Sequence, residues 1–87
     1  MKIVAASGQV ACETGGETLI LNPSNNSYYS LGGVGVRIWQ LISRPRTVVE
    51  IREALVAEYD VDPAECEAQS RELIGWLAAE QLVRYCE

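Results

Sequence analysis

The stretch Ser27-Tyr28-Tyr29-Ser30-Leu31-Gly32-Gly33-Val34-Gly35-Val36-Arg37-Ile38-Trp39-Gln40-Leu41-Ile42 changes its period in the middle. Residues 27–31 alternate and carry two aromatics, the pattern of a strand with Tyr29 and Leu31 on one face and Tyr28 and Ser30 on the other. From Gly32 onward Val34, Ile38, Leu41 and Ile42 recur at helical spacing with Trp39 beside them, until Arg44-Pro45 stops the run. A strand that feeds straight into a helix marks the joint between a β half and an α half.

Toward the amino terminus the β half continues. Gln9-Val10-Ala11-Cys12-Glu13 is a short alternating segment, and Thr14-Gly15-Gly16 is a hairpin-type turn. Glu17-Thr18-Leu19-Ile20-Leu21-Asn22 follows, with Leu19 and Leu21 on one face and Ile20 on the other, and Pro23-Ser24-Asn25-Asn26 sets four turn formers in a row. Toward the carboxyl terminus the helical period persists. Thr47-Val48-Val49-Glu50 is a capping box that opens a second helix, with Val48, Ile51, Leu55 and Tyr59 on one stripe. Asp62-Pro63-Ala64-Glu65 places an Asp cap before a proline at the first helical position, and starts a third helix that should run to about Leu82. Its expected core stripe is Cys66, Ser70, Leu73 and Leu77, with Ile74 and Trp76 flanking, and Leu82–Cys86 returns as an extended segment. The order βββααα predicts a single α+β domain over residues 1–87, a three-stranded antiparallel meander followed by three helices, winged-helix-like in outline.

Composition narrows the function. With 87 residues the chain has room for one domain, which buries only ~60–65% of the surface its unfolded form exposes. Its apolar runs are far shorter than the ~20 residues that cross a bilayer, and Met1–Ser7 is too short an apolar stretch for a secretory signal. A cytoplasmic protein without membrane contact is the expectation. Seven basic against twelve acidic residues leave a net charge of −5, which speaks against nucleic acid, since phosphate neutralisation supplies most of that affinity. There is no histidine, which removes the commonest general base and the Ser-His and Cys-His nucleophile schemes. No catalytic residue, metal ligand or cofactor is expected. Cys12, Cys66 and Cys86 form no close-spaced pair, so they read as reduced thiols used as small hydrophobes.

Three helices on a small sheet also fit a winged-helix DNA-binding regulator. Its recognition helix should carry Arg, Lys, Asn or Gln. The third helix instead carries Glu65, Glu67, Glu72 and Glu80 against Arg71, and the second Glu50, Glu53 and Glu58 against Arg52. Arg37, Arg44, Arg46 and Arg52 crowd one region, which suits a solvated face or a protein-docking patch. A further reading is a subunit that stabilises an enzyme.

The run Tyr28–Ile42 resembles the pattern of the PqqD-like family: an aromatic, then Leu-Asn, a small residue two or three further on, then Ile-Trp and two aliphatics. Thr47-Val48-Val49-Glu50-Ile51 is similar to the start of the family's second helix, and Ile74-Gly75-Trp76-Leu77-Ala78-Ala79-Glu80-Gln81-Leu82-Val83 to its closing helix. Together these cover most of residues 9–84. Gly32 stands where the family has Asn, implying a weaker cap on the first helix. Gln81 stands where it has Gly, implying that the last helix ends without a left-handed glycine.

The resemblance implies a precursor-peptide recognition element for ribosomally made, modified peptides, most like the stand-alone leader-binding protein of lasso-peptide pathways. Such a protein binds the leader as an extra strand beside the third strand, in a groove closed by the third helix. Its implied partners are a leader peptide of the Tyr-x-x-Pro type, a separate leader peptidase, and, further along, the cyclase. Residues 27–31 contain no proline and no charge to blunt a free edge. On the third helix Leu73 and Leu77 face the core. Gln69, Glu72, Trp76 and Glu80 share one flank, and Ile74 and Ala78 the other. The first flank is favoured, because an aromatic among polar groups suits a side-chain pocket, although Trp76 also fits a core role. The expected peptide-binding set is Ser27, Tyr28, Tyr29, Ser30, Leu31, Gln69, Glu72, Leu73 and Trp76.

Overall fold

Strands β1 (Lys2–Ala5), β2 (Val10–Thr14), β3 (Glu17–Asn22) and β4 (Ser27–Gly32) precede helices α1 (Val34–Leu41), α2 (Val48–Glu58) and α3 (Pro63–Ala79), and β5 (Val83–Cys86) closes the chain. These elements belong to a computed structural model that describes residues 1–23 and 26–86; Ser24 and Asn25 of the expected four-residue turn lie outside the described residues. The expected meander is β2-β3-β4, antiparallel throughout, with Cys12 opposite Leu19 and Leu19 opposite Ser30. Alternation sends Thr18, Ile20, Asn22, Tyr29 and Leu31 toward the helices and leaves Leu21 and Tyr28 outside.

The element order departs from βββααα at both ends. β1 pairs antiparallel with β5 as a separate two-stranded sheet, Ile3 opposite Tyr85 and Val4 opposite Arg84. This ribbon is tied to the α1–α2 connection: Ile3 N donates to the Arg46 carbonyl at 2.6 Å and Arg46 N to the Ile3 carbonyl at 2.9 Å. Ile3 is buried in the core with Ile20, Leu31, Ile38, Ile42, Ile51, Leu55, Ile74, Leu77 and Leu82.

Each helix ends for a local reason. α1 is capped by Gly33, whose φ of 56° a side-chain-bearing residue adopts at a cost, and no side chain caps it. The capping box of α2 is complete: Glu50 N donates to Thr47 Oγ1 at 3.1 Å and Thr47 N to Glu50 Oε1 at 2.8 Å. Tyr59, expected on the α2 stripe, is instead the exposed C-cap in extended conformation, because the chain leaves the helix there for the Asp-Pro start of α3. Asp62 caps α3, accepting from Glu65 N at 2.9 Å. The buried stripe of α3 is Cys66, Ser70, Ile74 and Leu77; Leu73 is only partly buried. At 100° per residue Ile74 and Leu73 lie on opposite borders of the stripe, and the packing of α3 on α2 turns the Ile74 border inward. The helix stops at Ala79 rather than near Leu82.

Arg37 forks onto Glu58 (Nε–Oε1 2.8 Å, Nη2–Oε2 2.9 Å), linking α1 to α2, and Arg52 Nη1 reaches Glu67 Oε1 at 2.8 Å, linking α2 to α3. Two arginines of the expected basic cluster are thereby engaged within the fold. The three cysteines are free; Cys66 is buried, but Cys12 is exposed on β2, against the expectation of a buried apolar thiol.

Candidate functional site

β4 pairs only with β3 among the described residues, so its other edge offers unpaired backbone groups. Residues 27–32 are uncharged, whereas the other outer strand, β2, carries Glu13, which accepts from Gln40 Nε2 at 2.9 Å. The side chains on the inner face of β4 reach α3. Tyr29 Oη donates to Glu80 Oε2 at 2.8 Å, and its ring meets Trp76 edge-on, centroids 5.3 Å apart. Asn22 Nδ2 reaches the Glu80 carbonyl at 3.4 Å. One step along, a side-chain carbon on Gly35 would sit 3.6 Å from both Leu31 Cβ and Leu73 Cδ2, so β4, α1 and α3 meet at that glycine.

Beyond this meeting point the groove deepens into a cavity of about 410 Å³. Val34, Gly35 and Ile38 of α1 line it, with Leu55 of α2, Cys66, Gln69, Ser70 and Leu73 of α3, and Asp60, Val61 and Asp62 of the connecting loop.

The expected site residues divide by face. Tyr29 and Leu31 point toward the helices, and the groove brings them together with Leu73 and Trp76. Gln69 lines the cavity and Glu72 is exposed one turn further on. Of the two flanks of α3, Ile74 is buried and Ala78 packs against the core, while Trp76 is 43% exposed. Tyr28 and Ser30 lie on the outer face, Ser30 Oγ donating to Glu17 Oε2 at 2.9 Å, and Ser27 is partly buried at the start of β4. Not foreseen from the sequence are Val34, Gly35, Ile38 and the Asp60–Asp62 loop; Gly35 was the available sign of a tight approach.

The outer face carries a second feature. Val10, Leu21 and Tyr28 are cross-strand neighbours in one row and are 60%, 42% and 74% exposed. The shifted carboxyls lie elsewhere. Backbone donation from Thr47 holds Glu50 below the usual carboxylate range, and the Arg37 guanidinium does the same for Glu58. Among the described residues no cluster of His, Cys, Asp or Glu could hold a metal ion, and no helix is long and apolar enough to cross a membrane.

Fold and groove define a small α+β domain with an open edge strand whose inner face reaches its last long helix. The chain belongs to the PqqD family: residues 17–83 match the model described as coenzyme PQQ synthesis protein D. Two solved structures share the fold. TbiB1 in complex with the TbiA(beta) leader peptide is 29% identical, with a TM-score of 0.87 over 97% of this chain and 99% of that one. Lasso peptide synthetase B1 complexed with the leader peptide is 15% identical, with a TM-score of 0.86 over 98% and 100%, a likeness of fold. A search of curated proteins returns no significant match.

Proposed function

We propose that this chain is a non-catalytic adaptor that binds the leader of a ribosomally made precursor peptide as a strand added to β4. The observation that carries this reading is the unpaired, uncharged edge of β4, whose inner side chains Tyr29 and Leu31 form a groove with Leu73 and Trp76. Backbone pairing supplies affinity with little demand on sequence, and pockets for alternate side chains supply choice. The likeness to TbiB1, which is complexed with a leader peptide, supports it. In a leader of the Tyr-x-x-Pro type the tyrosine has the size and chemistry for the α1–α3 cavity. The proline, which cannot donate to a ladder, marks where pairing with β4 stops.

The bound leader is then presented to a leader peptidase and, later, its product to a cyclase, as in lasso-peptide maturation. The Val10-Leu21-Tyr28 row suits the peptidase: it is apolar, carries an aromatic anchor, and is continuous with the strand that the leader extends. A DNA-binding role finds no comparable feature, since Arg71 on α3 turns to Glu67 and Glu65 and Glu72 are exposed.

The test is titration calorimetry with the leader encoded in the same gene neighbourhood. Micromolar or tighter binding, ~−8 kcal/mol or better, and no turnover by this chain alone are expected. A folded protein that ignores that leader would overturn the reading.

A further inference from the structure

The seven basic residues divide into two groups. Arg37 pairs with Glu58, and Arg52 and Arg71 pair with Glu67. Lys2, Arg44, Arg46 and Arg84 make no ion pair among the described residues. The fold gathers these four in one place. β1 lies between β5 and the Arg46 backbone, since Ile3 stands opposite Tyr85 on one side and bridges Arg46 on the other. Lys2 and Arg84 occupy the rows on either side of Ile3, Arg84 opposite Val4, and Arg44 is two residues before the bridge. With neighbouring strands ~4.8 Å apart, the three segments set the four cations on a stretch of backbone about 10 Å across.

Residues 2–5, 43–46 and 83–86 hold these four cations and no Asp or Glu. Glu50 lies in the field of Arg46 and Lys2, but its carboxylate accepts from Thr47 N and pairs with neither cation. Lys2, Arg44 and Arg84 are exposed, and Arg46 is steadied by its Nε, which donates to the Leu41 carbonyl at 3.2 Å. Tyr85, 51% exposed, stands in the middle row, and an aromatic among arginines is the composition of a contact surface. Four like charges this close repel one another, a cost that opposing carboxylates relieve. The chain as a whole carries a net charge of −5, and its other three cations are already paired. A long polyanion or an extended anionic surface would run past the patch onto that acidic remainder, whereas a short acidic segment ends within it.

We propose that the β1–β5 ribbon and residues 43–46 dock a short acidic segment of a partner polypeptide, whose Asp and Glu side chains meet Lys2, Arg44, Arg46 and Arg84. None of the four lines the α1–α3 cavity or lies on β4, so the site is separate from the leader groove, and its failure would leave leader binding untouched. Exposed charges act through a screened field, so docking should weaken with salt.

A fluorescein-labelled oligoglutamate peptide is the probe, read by fluorescence anisotropy at low and high salt and located by amide shifts of the isotope-labelled protein. Binding at low salt that fades at high salt is expected, with the shifted amides in residues 2–5, 43–47 and 83–86. The variant Lys2→Gln, Arg44→Gln, Arg84→Gln changes three exposed positions and should keep its circular dichroism. It should bind at least about tenfold more weakly, each lost contact being worth a few-fold. The charge-preserving variant Lys2→Arg, Arg44→Lys, Arg84→Lys should bind as the parent does. No binding of oligoglutamate at low salt, or shifts confined to β4 and α3, would overturn the site, as would undiminished binding by the folded glutamine variant. Tighter binding of an oligothymidylate of equal charge, or of phosphatidylglycerol vesicles, would overturn the choice of a polypeptide partner.

Discussion

Tyr29 and Trp76 meet edge to face, ring centroids 5.3 Å apart and planes at 84°, across the gap between β4 and α3. Because Tyr29 also donates to Glu80, the sheet and the last turns of α3 are held at a set spacing where an added strand would lie. Trp76 is 43% exposed, so it is half packing residue and half groove wall. Truncation should therefore cost less than the ~3–5 kcal/mol of a fully buried tryptophan. Trp76→Ala is expected to lower stability by about 1–2 kcal/mol, the aromatic pair plus part of its buried area. It should weaken leader binding at least tenfold, ~1.4 kcal/mol. Melting and calorimetry on the same variant check both numbers, and wild-type affinity in a folded variant would remove Trp76 from the site.

The β4 edge can be tested with proline. Leu31 is buried, so Leu31→Pro would open the core as well as the ladder. Ser30 is exposed, and Ser30→Pro confines the damage to the backbone donor and to the conformation of its predecessor. Leader binding should fall below detection in a variant whose circular dichroism stays native. Unchanged affinity would take the edge out of the mechanism.

Most of the fold was legible because the period changes from two to 3.6 at Gly32 and both later helices carry sequence-coded caps at Thr47 and Asp62. β1 was not legible: four residues, Lys2–Ala5, are too few for an alternation to register, and they become a strand only because β5 and Arg46 supply partners. The swap of Ile74 for Leu73 in the core reflects a border that periodicity leaves ambiguous and that packing decides. For the site, the strand edge and the Trp76 flank could be read from one short stretch each. The α1–α3 cavity could not, because its walls come from α1, α2, α3 and a loop that are distant in sequence.

Separating the two faces of the sheet gives a third expectation. Tyr28 is 74% exposed on the face away from the groove, so Tyr28→Ser should leave leader affinity within about twofold, a few tenths of a kcal/mol, and barely change melting. Leader cleavage by a peptidase from the same gene neighbourhood should slow markedly. Unaltered cleavage would move the docking surface elsewhere.

Acid should destabilise the protein through two carboxyls. Glu50 in the capping box and Glu58 on Arg37 both have folded-state pKa values below the ordinary range. Their stabilisation is present above the unfolded carboxylate pKa, ~4.3, and is lost as pH falls through the lowered folded values. Melting temperature should hold from neutrality to about pH 5 and drop below about pH 4. Glu58→Gln should flatten part of that drop. Thr47→Ala, which removes the cap itself, should cost ~1 kcal/mol at neutral pH.

The end of α3 supplies the last expectation. Leu82 N donates to the Leu77 carbonyl at 2.9 Å and Gln81 N to the Ala78 carbonyl at 3.0 Å. With Leu77 and Leu82 both buried, this is a Schellman closure. It requires a left-handed residue between the helix and Leu82, and Gln81 occupies that position at φ 63°. The family pattern has glycine there, and its absence suggested a helix ending without a left-handed turn; the turn is made all the same, by a residue with a side chain. A Cβ in this conformation costs ~1–2 kcal/mol, offset in part by the greater freedom glycine has when unfolded. Gln81 is exposed, so the substitution removes no packing. Gln81→Gly should therefore raise stability by about 0.5–1 kcal/mol, read as a shift in the urea midpoint at constant slope. A destabilised Gln81→Gly would mean that the side chain contributes something the backbone geometry does not account for.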